Sequence, residues 1–101
     1  MIAITLGDPA GVGPEVLLKA LPYFKRHLKK FLIIGDKKVL EAREKLFSLK
    51  LPHELEILSV SELDVEPSQP TLEGFQAMLT YLETAISLAK EKRVKAIVTL
   101  P

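Results

Sequence analysis

The stretch Gly7-Asp8-Pro9-Ala10-Gly11-Val12-Gly13-Pro14-Glu15 gathers the residue types best suited to chemistry in this chain of 101 residues. Its glycines permit positive φ and let a backbone approach a ligand closely. Pro14 suits a first helical position, so the loop runs into a helix start, where unpaired N–H groups and the dipole favour an anion. The chemistry implied is retention of an anionic group of a cofactor or substrate. Gly7, Asp8, Gly11 and Gly13 are its candidate cofactor-binding residues. Two features oppose it: Pro14 lacks a donor, and Glu15 repels a phosphate placed too near. A strand-to-helix turn using Gly and Pro for geometry alone is the competing reading. The spacing G-x3-G-x-G is neither the dinucleotide fingerprint G-x-G-x-x-G nor a P-loop, since no Lys-Ser/Thr follows. Asp8 suits a ligand contact or a bond to donors of its own turn.

Asp36 closes an apolar run at the position where a dinucleotide-binding fold places its ribose-binding acid. Without the matching fingerprint, capping of the following helix is its expected role. His27 and His53 are the only histidines; the first lies in a basic run and the second follows Pro52, and both are expected to be solvated. The chain has no cysteine, which removes disulfides, a thiolate nucleophile and Cys-based zinc sites.

The elements that must position these residues follow from periodicity. Ile2–Leu6, Phe31–Ile34, Leu55–Val60 and Ala96–Leu100 are short apolar or β-branched runs expected to be strands. Between them a helix from Pro14 to Pro22, a short basic helical turn over Pro22–Lys30, and a helix over Lys37–Leu49 are expected. In the last of these Val39, Leu40, Ala42, Leu46 and Leu49 fall mostly on one side, with Glu41 and Lys45 paired at i,i+4. Ser61–Pro70, carrying two prolines and several acids, reads as a connection. Thr71 is a plausible N-cap for the strongest helix, in which Phe75, Met78, Leu79, Leu82, Ala85, Ile86 and Ala89 trace a stripe ending in basic residues. Tyr23, Phe24, Phe75 and Tyr81 are expected in the core. The order β-α-β-α-β-α-β points to an α/β fold, a parallel sheet layered with helices and right-handed crossovers. Ligands of such sheets gather beyond the carboxyl ends of the strands, where Gly7–Glu15, Gly35-Asp36 and Thr99-Leu100-Pro101 should meet.

Composition narrows the class. With 48% hydrophobic and 27% charged residues, the chain is ordinary globular protein rather than disordered tail. Fourteen basic and 13 acidic residues leave a net charge of +1, which argues against nucleic-acid binding. The run Lys25–Lys30 has no interleaved aromatics and reads as a solvated face. No apolar run nears the roughly 20 residues that span a bilayer, and Met1–Thr5 lacks the features of a signal peptide. A soluble cytoplasmic protein with no membrane contact is the expectation.

Beyond its glycines, Ile4-Thr5-Leu6-Gly7-Asp8-Pro9-Ala10-Gly11-Val12-Gly13-Pro14-Glu15 closely resembles the N-terminal signature of the 4-hydroxythreonine-4-phosphate dehydrogenase (PdxA) family. Ala96-Ile97-Val98-Thr99-Leu100-Pro101 is similar to that family's strand ending in T-x-P. The resemblance is dense at the two ends; between them only the element order agrees. It implies a fold like that of isocitrate and isopropylmalate dehydrogenases. The implied activity is NAD-dependent, divalent-metal-dependent (Zn, Mg or Co) oxidation and decarboxylation of 4-phosphohydroxy-L-threonine to 3-amino-2-oxopropyl phosphate, in pyridoxal phosphate (vitamin B6) biosynthesis. It also implies a homodimer acting on a small phosphorylated hydroxy acid, and it inclines Thr99 toward the substrate side.

The family's histidine metal ligands, its His-Thr pair and its substrate-holding lysine, asparagine and arginine would all fall beyond Pro101. No catalytic residue and no metal ligand is therefore assigned within the chain. Residues 1–101 are expected to be a single α/β unit, the N-terminal fragment of a longer two-domain enzyme and not catalytically complete. Two alternatives stand beside this: a related dehydrogenase acting on threonate or erythronate 4-phosphate, and a non-catalytic α/β binding module. The natural reading frame beyond Pro101 would separate them.

Overall fold

The apolar run at the N-terminus becomes the centre of the sheet. In a computed structural model, which describes residues 1–63 and 65–101, Ile2–Thr5 forms strand β1 and pairs on both sides. Phe31–Gly35 (β2) lies on one side and Ala96–Thr99 (β4) on the other; Glu56–Ser59 (β3) extends the sheet beyond β2. Every pairing is parallel and the order is β3-β2-β1-β4. Ala3, Leu6, Ile33 and Ile34 are fully buried, as central parallel strands with both faces covered require.

Among the described residues three α-helices connect the strands: α1 (Gly13–Ala20), α2 (Lys37–Leu46) and α3 (Leu72–Lys90). The helices α1 and α2 pack against each other, whereas α3 packs across β1, β2 and β4. The two early crossovers step one way along the sheet and the third steps back. With right-handed connections this places α3 on the opposite face. The core joins Leu17, Leu18 and Leu21 to Leu40, Tyr81, Ala85 and Leu88 across the sheet residues.

Several local expectations are corrected. Helix α2 stops at Leu46 because Ser48 takes a left-handed φ of 52°. Its amide donates to Lys45 O while the Leu49 amide reaches back to Glu44 O, a Schellman ending. Lys92 (φ 61°) ends α3 in the same way. The buried face of α2 is Val39, Leu40 and Arg43, while Leu46 is exposed. On α3 the buried residues are Gly74, Tyr81, Ala85 and Leu88. Phe75, Leu79, Leu82 and Ile86, from the expected stripe, form a second apolar line left exposed.

Of the four aromatics expected in the core only Tyr81 is there; Tyr23, Phe24 and Phe75 are exposed. Tyr23 and Phe24 sit on a 3₁₀ segment, Leu21–Lys30, that breaks at Phe24, so only Leu21 and Leu28 turn inward. The ion pair on a helix face is Glu15–Lys19 in α1; among the described residues Glu41 and Lys45 form none. The connection Ser61–Pro70 contains Asp64, which lies outside the described residues.

Candidate functional site

Strand order creates the site's location. The strands β1 and β4 are neighbours in space although they stand first and last in the described sequence. The connection leaving β1 runs through α1 beside α2, whereas the one entering β4 runs through α3 on the other face. The strand order therefore reverses between β1 and β4, a topological switch point, where crevices form in open α/β sheets. The Leu100 amide donates to Thr5 O at 3.0 Å, so the two strand ends stay in step. Thr99 lies opposite Thr5; Thr99 is exposed and Thr5 is buried.

The loop after β1 is held from within and from without. Asp8 Oδ1 accepts the Ala10 amide at 2.9 Å and Asp8 O accepts the Gly11 amide at 2.9 Å, an Asx-turn nested in a tight turn. The Ser68 amide donates to Ala10 O at 2.8 Å, fastening the 61–70 connection over the loop. Thr71 caps α3 by accepting the Gly74 amide. Gly74 in turn lies close enough to Asp8 and Pro9 that an added Cβ would touch both.

The glycines divide by what surrounds them. Gly7 has φ +73°, and a Cβ there would fall 2.3 Å from Leu100 O; at Gly13 it would fall 2.0 Å from Leu6 O. Both absences are filled by the protein's own backbone. At Gly11 the nearest atom would be Asp8 O at 3.2 Å, leaving this glycine facing the more open side. Val12, the N-cap of α1, supplies no side-chain acceptor. Among the described residues no protein acceptor meets the amides of Val12, Gly13 and Glu15. A cleft of about 220 Å³ opens here, lined by Asp8, Gly11, Val12, Glu15, Arg43 and Ser68 among others.

Asp36 does not cap α2 with its side chain. Its carboxylate turns inward, fully buried, and accepts from Ser61 Oγ (2.5 Å), the Leu63 amide (3.2 Å) and the Tyr81 hydroxyl. Ser59 Oγ instead receives the Lys37 amide, and the Asp36 carbonyl takes the amides of Val39 and Leu40. Burial, followed by the bond to Asp36, pushes the Tyr81 phenol far above its ordinary range. With its carboxylate so occupied, Asp36 has no role here as a ribose-binding acid.

Arg43 is the residue that sequence reasoning missed. It is 3% exposed and donates from Nη1 to Gly11 O at 2.9 Å and from Nη2 to Pro9 O at 2.8 Å. Burial draws its guanidinium below the ordinary value, and the nearby Glu15 carboxylate pushes the other way. Its signal was the spacing Val39, Leu40, Arg43, which sets a charge on the helix's inner face. His27 and His53 are exposed and away from the loop cluster. Among the described residues no three His, Asp or Glu side chains gather as a metal site would need. No helix among them is long and apolar enough to cross a membrane.

An open parallel α/β sheet with its first loop at the switch point defines the class as an open-sheet α/β protein, and comparison with known proteins narrows it. Residues 27–101 match the family model of pyridoxal phosphate biosynthetic protein PdxA. The 4-hydroxythreonine-4-phosphate dehydrogenase of Sulfurihydrogenibium sp. is 35% identical over 112 residues, covering 99% of this chain and 35% of that protein. A Fusobacterium nucleatum protein named "Putative D-threonate 4-phosphate dehydrogenase" is 37% identical over 119 residues, covering 99% of this chain and 36% of its own length. Among solved structures, a 4-hydroxythreonine-4-phosphate dehydrogenase from Burkholderia phymatum superposes with a TM-score of 0.86 at 26% identity, over 97% of this chain and 35% of that one. The chain belongs to the PdxA family. It spans about a third of the length of the curated relatives it matches.

Proposed function

We propose that the natural gene product carrying this chain is an NAD-dependent dehydrogenase of 4-phosphohydroxy-L-threonine that serves pyridoxal phosphate synthesis. The observation that supports this best is membership of the PdxA family, with its signature loop lying at the switch point between β1 and β4. NAD supplies the hydride acceptor when bound. The secondary alcohol would give its hydride to that acceptor and its hydroxyl proton to solvent. The bond to the carboxylate would then break, its electron pair staying on the enolate as CO₂ leaves, and uptake of a proton from solvent at that carbon would give 3-amino-2-oxopropyl phosphate.

In this reading the loop Gly7, Asp8, Gly11 and Gly13 holds an anionic part of cofactor or substrate through the amides at the start of α1. Thr99 stands on the substrate side of the same crevice. The described residues do not by themselves form a metal site, so a divalent metal would be held by later sequence and no step is routed through it here. Residues 1–101 then form one α/β unit of a two-domain, homodimeric, cytoplasmic enzyme.

A second reading, D-threonate 4-phosphate as substrate, is favoured by the 37% identity to the Fusobacterium protein. The test is NADH formation by the purified gene product with each phosphorylated substrate, with and without added Zn, Mg or Co. Turnover of 4-phosphohydroxy-L-threonine alone supports the first reading, and turnover of D-threonate 4-phosphate alone the second. NADH production with neither would leave the non-catalytic binding module.

A further inference from the structure

We propose that Arg43 is a positioning residue for the Gly7–Gly13 loop: its guanidinium fork sets the loop's peptide orientations before any ligand arrives. The consequence for substrate rests on the dehydrogenase reading above; the effect on the loop does not. Arg43 lies on the inner face of α2 and is almost wholly buried. Among the described residues no carboxylate approaches it within ion-pair distance. Its charge is met by two carbonyl oxygens, Gly11 O at 2.9 Å and Pro9 O at 2.8 Å. A planar fork with two terminal nitrogens fixes the spacing and direction of both acceptors together, which a lysine ammonium on a flexible stem does not.

The effect reaches the opposite side of the loop through the peptide bond. In a trans peptide C=O and N–H point in opposite directions, and among the described residues no peptide is cis. Drawing Gly11 O onto Arg43 therefore turns the Val12 amide away from α2. Drawing Pro9 O onto Arg43 turns the Ala10 amide away likewise, and Asp8 Oδ1 receives it. The Val12 amide meets no protein acceptor among the described residues. Arg43 thus has its donors on the loop's carbonyls while the loop's free donor points elsewhere. A loop ordered in advance spares the ligand the entropic cost of ordering it.

The test uses the natural gene product and its Arg43→Lys and Arg43→Met variants. Backbone amide exchange at Ala10 and Gly11, both held by Asp8, should quicken by about tenfold in both variants, while core amides at Ile33 and Ile34 stay protected. The KM for the phosphorylated substrate should rise by about tenfold with kcat within about threefold, because Arg43 acts through the loop and not on reacting atoms. Unchanged loop exchange in Arg43→Lys overturns the proposal, as does a fall in kcat at unchanged KM. Collapse of both variants overturns it in favour of a plain core role. If the wild-type protein turns over neither substrate, the dehydrogenase reading fails, and loop exchange alone decides on Arg43.

Discussion

The Asp36 carboxylate and the Tyr81 hydroxyl share a buried hydrogen bond that ties the end of β2 to the middle of α3. The same carboxylate holds Ser61 and the Leu63 amide, so one side chain joins the sheet, a helix and the connection that closes over the loop. Tyr81→Phe leaves that buried carboxylate short of a donor and should cost about 1–3 kcal/mol. Urea unfolding of the variant, read as a lower midpoint at unchanged slope, checks this. Ser61→Ala, at an exposed residue, should cost less.

Tyr81 also predicts a pH dependence. Its phenol keeps its proton more tightly in the folded chain than in the unfolded one, where the usual value is about 10. Its contribution to stability is therefore complete below pH about 10 and declines as pH rises above it, because only the unfolded state releases the proton there. Tyr81→Phe should flatten this part of the alkaline stability profile, measured by unfolding at stepped pH. An equally steep profile in the variant would assign the alkaline loss to other groups.

The alternation of strand and helix was legible in the sequence because each element carries its own period, and Pro14 in the first turn of α1 and the Thr71 cap of α3 marked two helix starts. Helix ends were less so: Ser48 and Lys92 occupy left-handed positions that glycine usually marks. Burial was legible only where one apolar face exists. Helix α3 is apolar on two sides, and the expected stripe joined Ala85, which is buried, to Phe75, Leu79, Leu82 and Ile86, which are exposed, while passing over Leu88. The loop's place in the chain was evident at once, but its supports were not. Arg43 and Ser68 reach it from distant sequence through backbone carbonyls and amides, and such partners leave no local pattern. Asp36 was placed correctly and its role misread, because its carboxylate answers to Tyr81, 45 positions later.

The glycines of the loop should separate in mutagenesis. Gly13→Ala forces a Cβ against Leu6 O and should destabilise the protein by about 3 kcal/mol. Gly7→Ala adds a strained φ to a similar clash. Gly11→Ala meets only a tight contact with Asp8 O and should change stability by at most about 1 kcal/mol. Its effect should appear instead as a raised KM for NAD or substrate. Melting temperatures and steady-state kinetics on the same three variants test the division, and an equal loss of stability at Gly11 and Gly13 would contradict it.

Asp8→Asn keeps an Oδ1 that can accept the Ala10 amide and removes the charge beside the cleft. The fold should persist within about 1 kcal/mol of wild type, with weaker binding or slower turnover. Wild-type behaviour in both assays would confine Asp8 to its own turn.

A polypeptide of residues 1–101 alone should self-associate, since α3 exposes Phe75, Leu79, Leu82 and Ile86 along one line and apolar patches of this kind seek cover. Sedimentation should show oligomers that Leu79→Glu with Leu82→Glu converts toward monomer. A monomeric wild-type chain of these residues with sharp, cooperative unfolding would contradict this.

The pairing of β1 with β4 also governs when the loop acquires its shape during synthesis. Ile2 emerges from the ribosome long before Ala96, with which it pairs. Until then β1 lacks its β4 neighbour, and Gly7 lacks the backbone of Leu100 and Pro101 that later packs against it. Contacts so distant in sequence slow folding, so the loop after β1 is made early in synthesis but is among the last of these residues to take form.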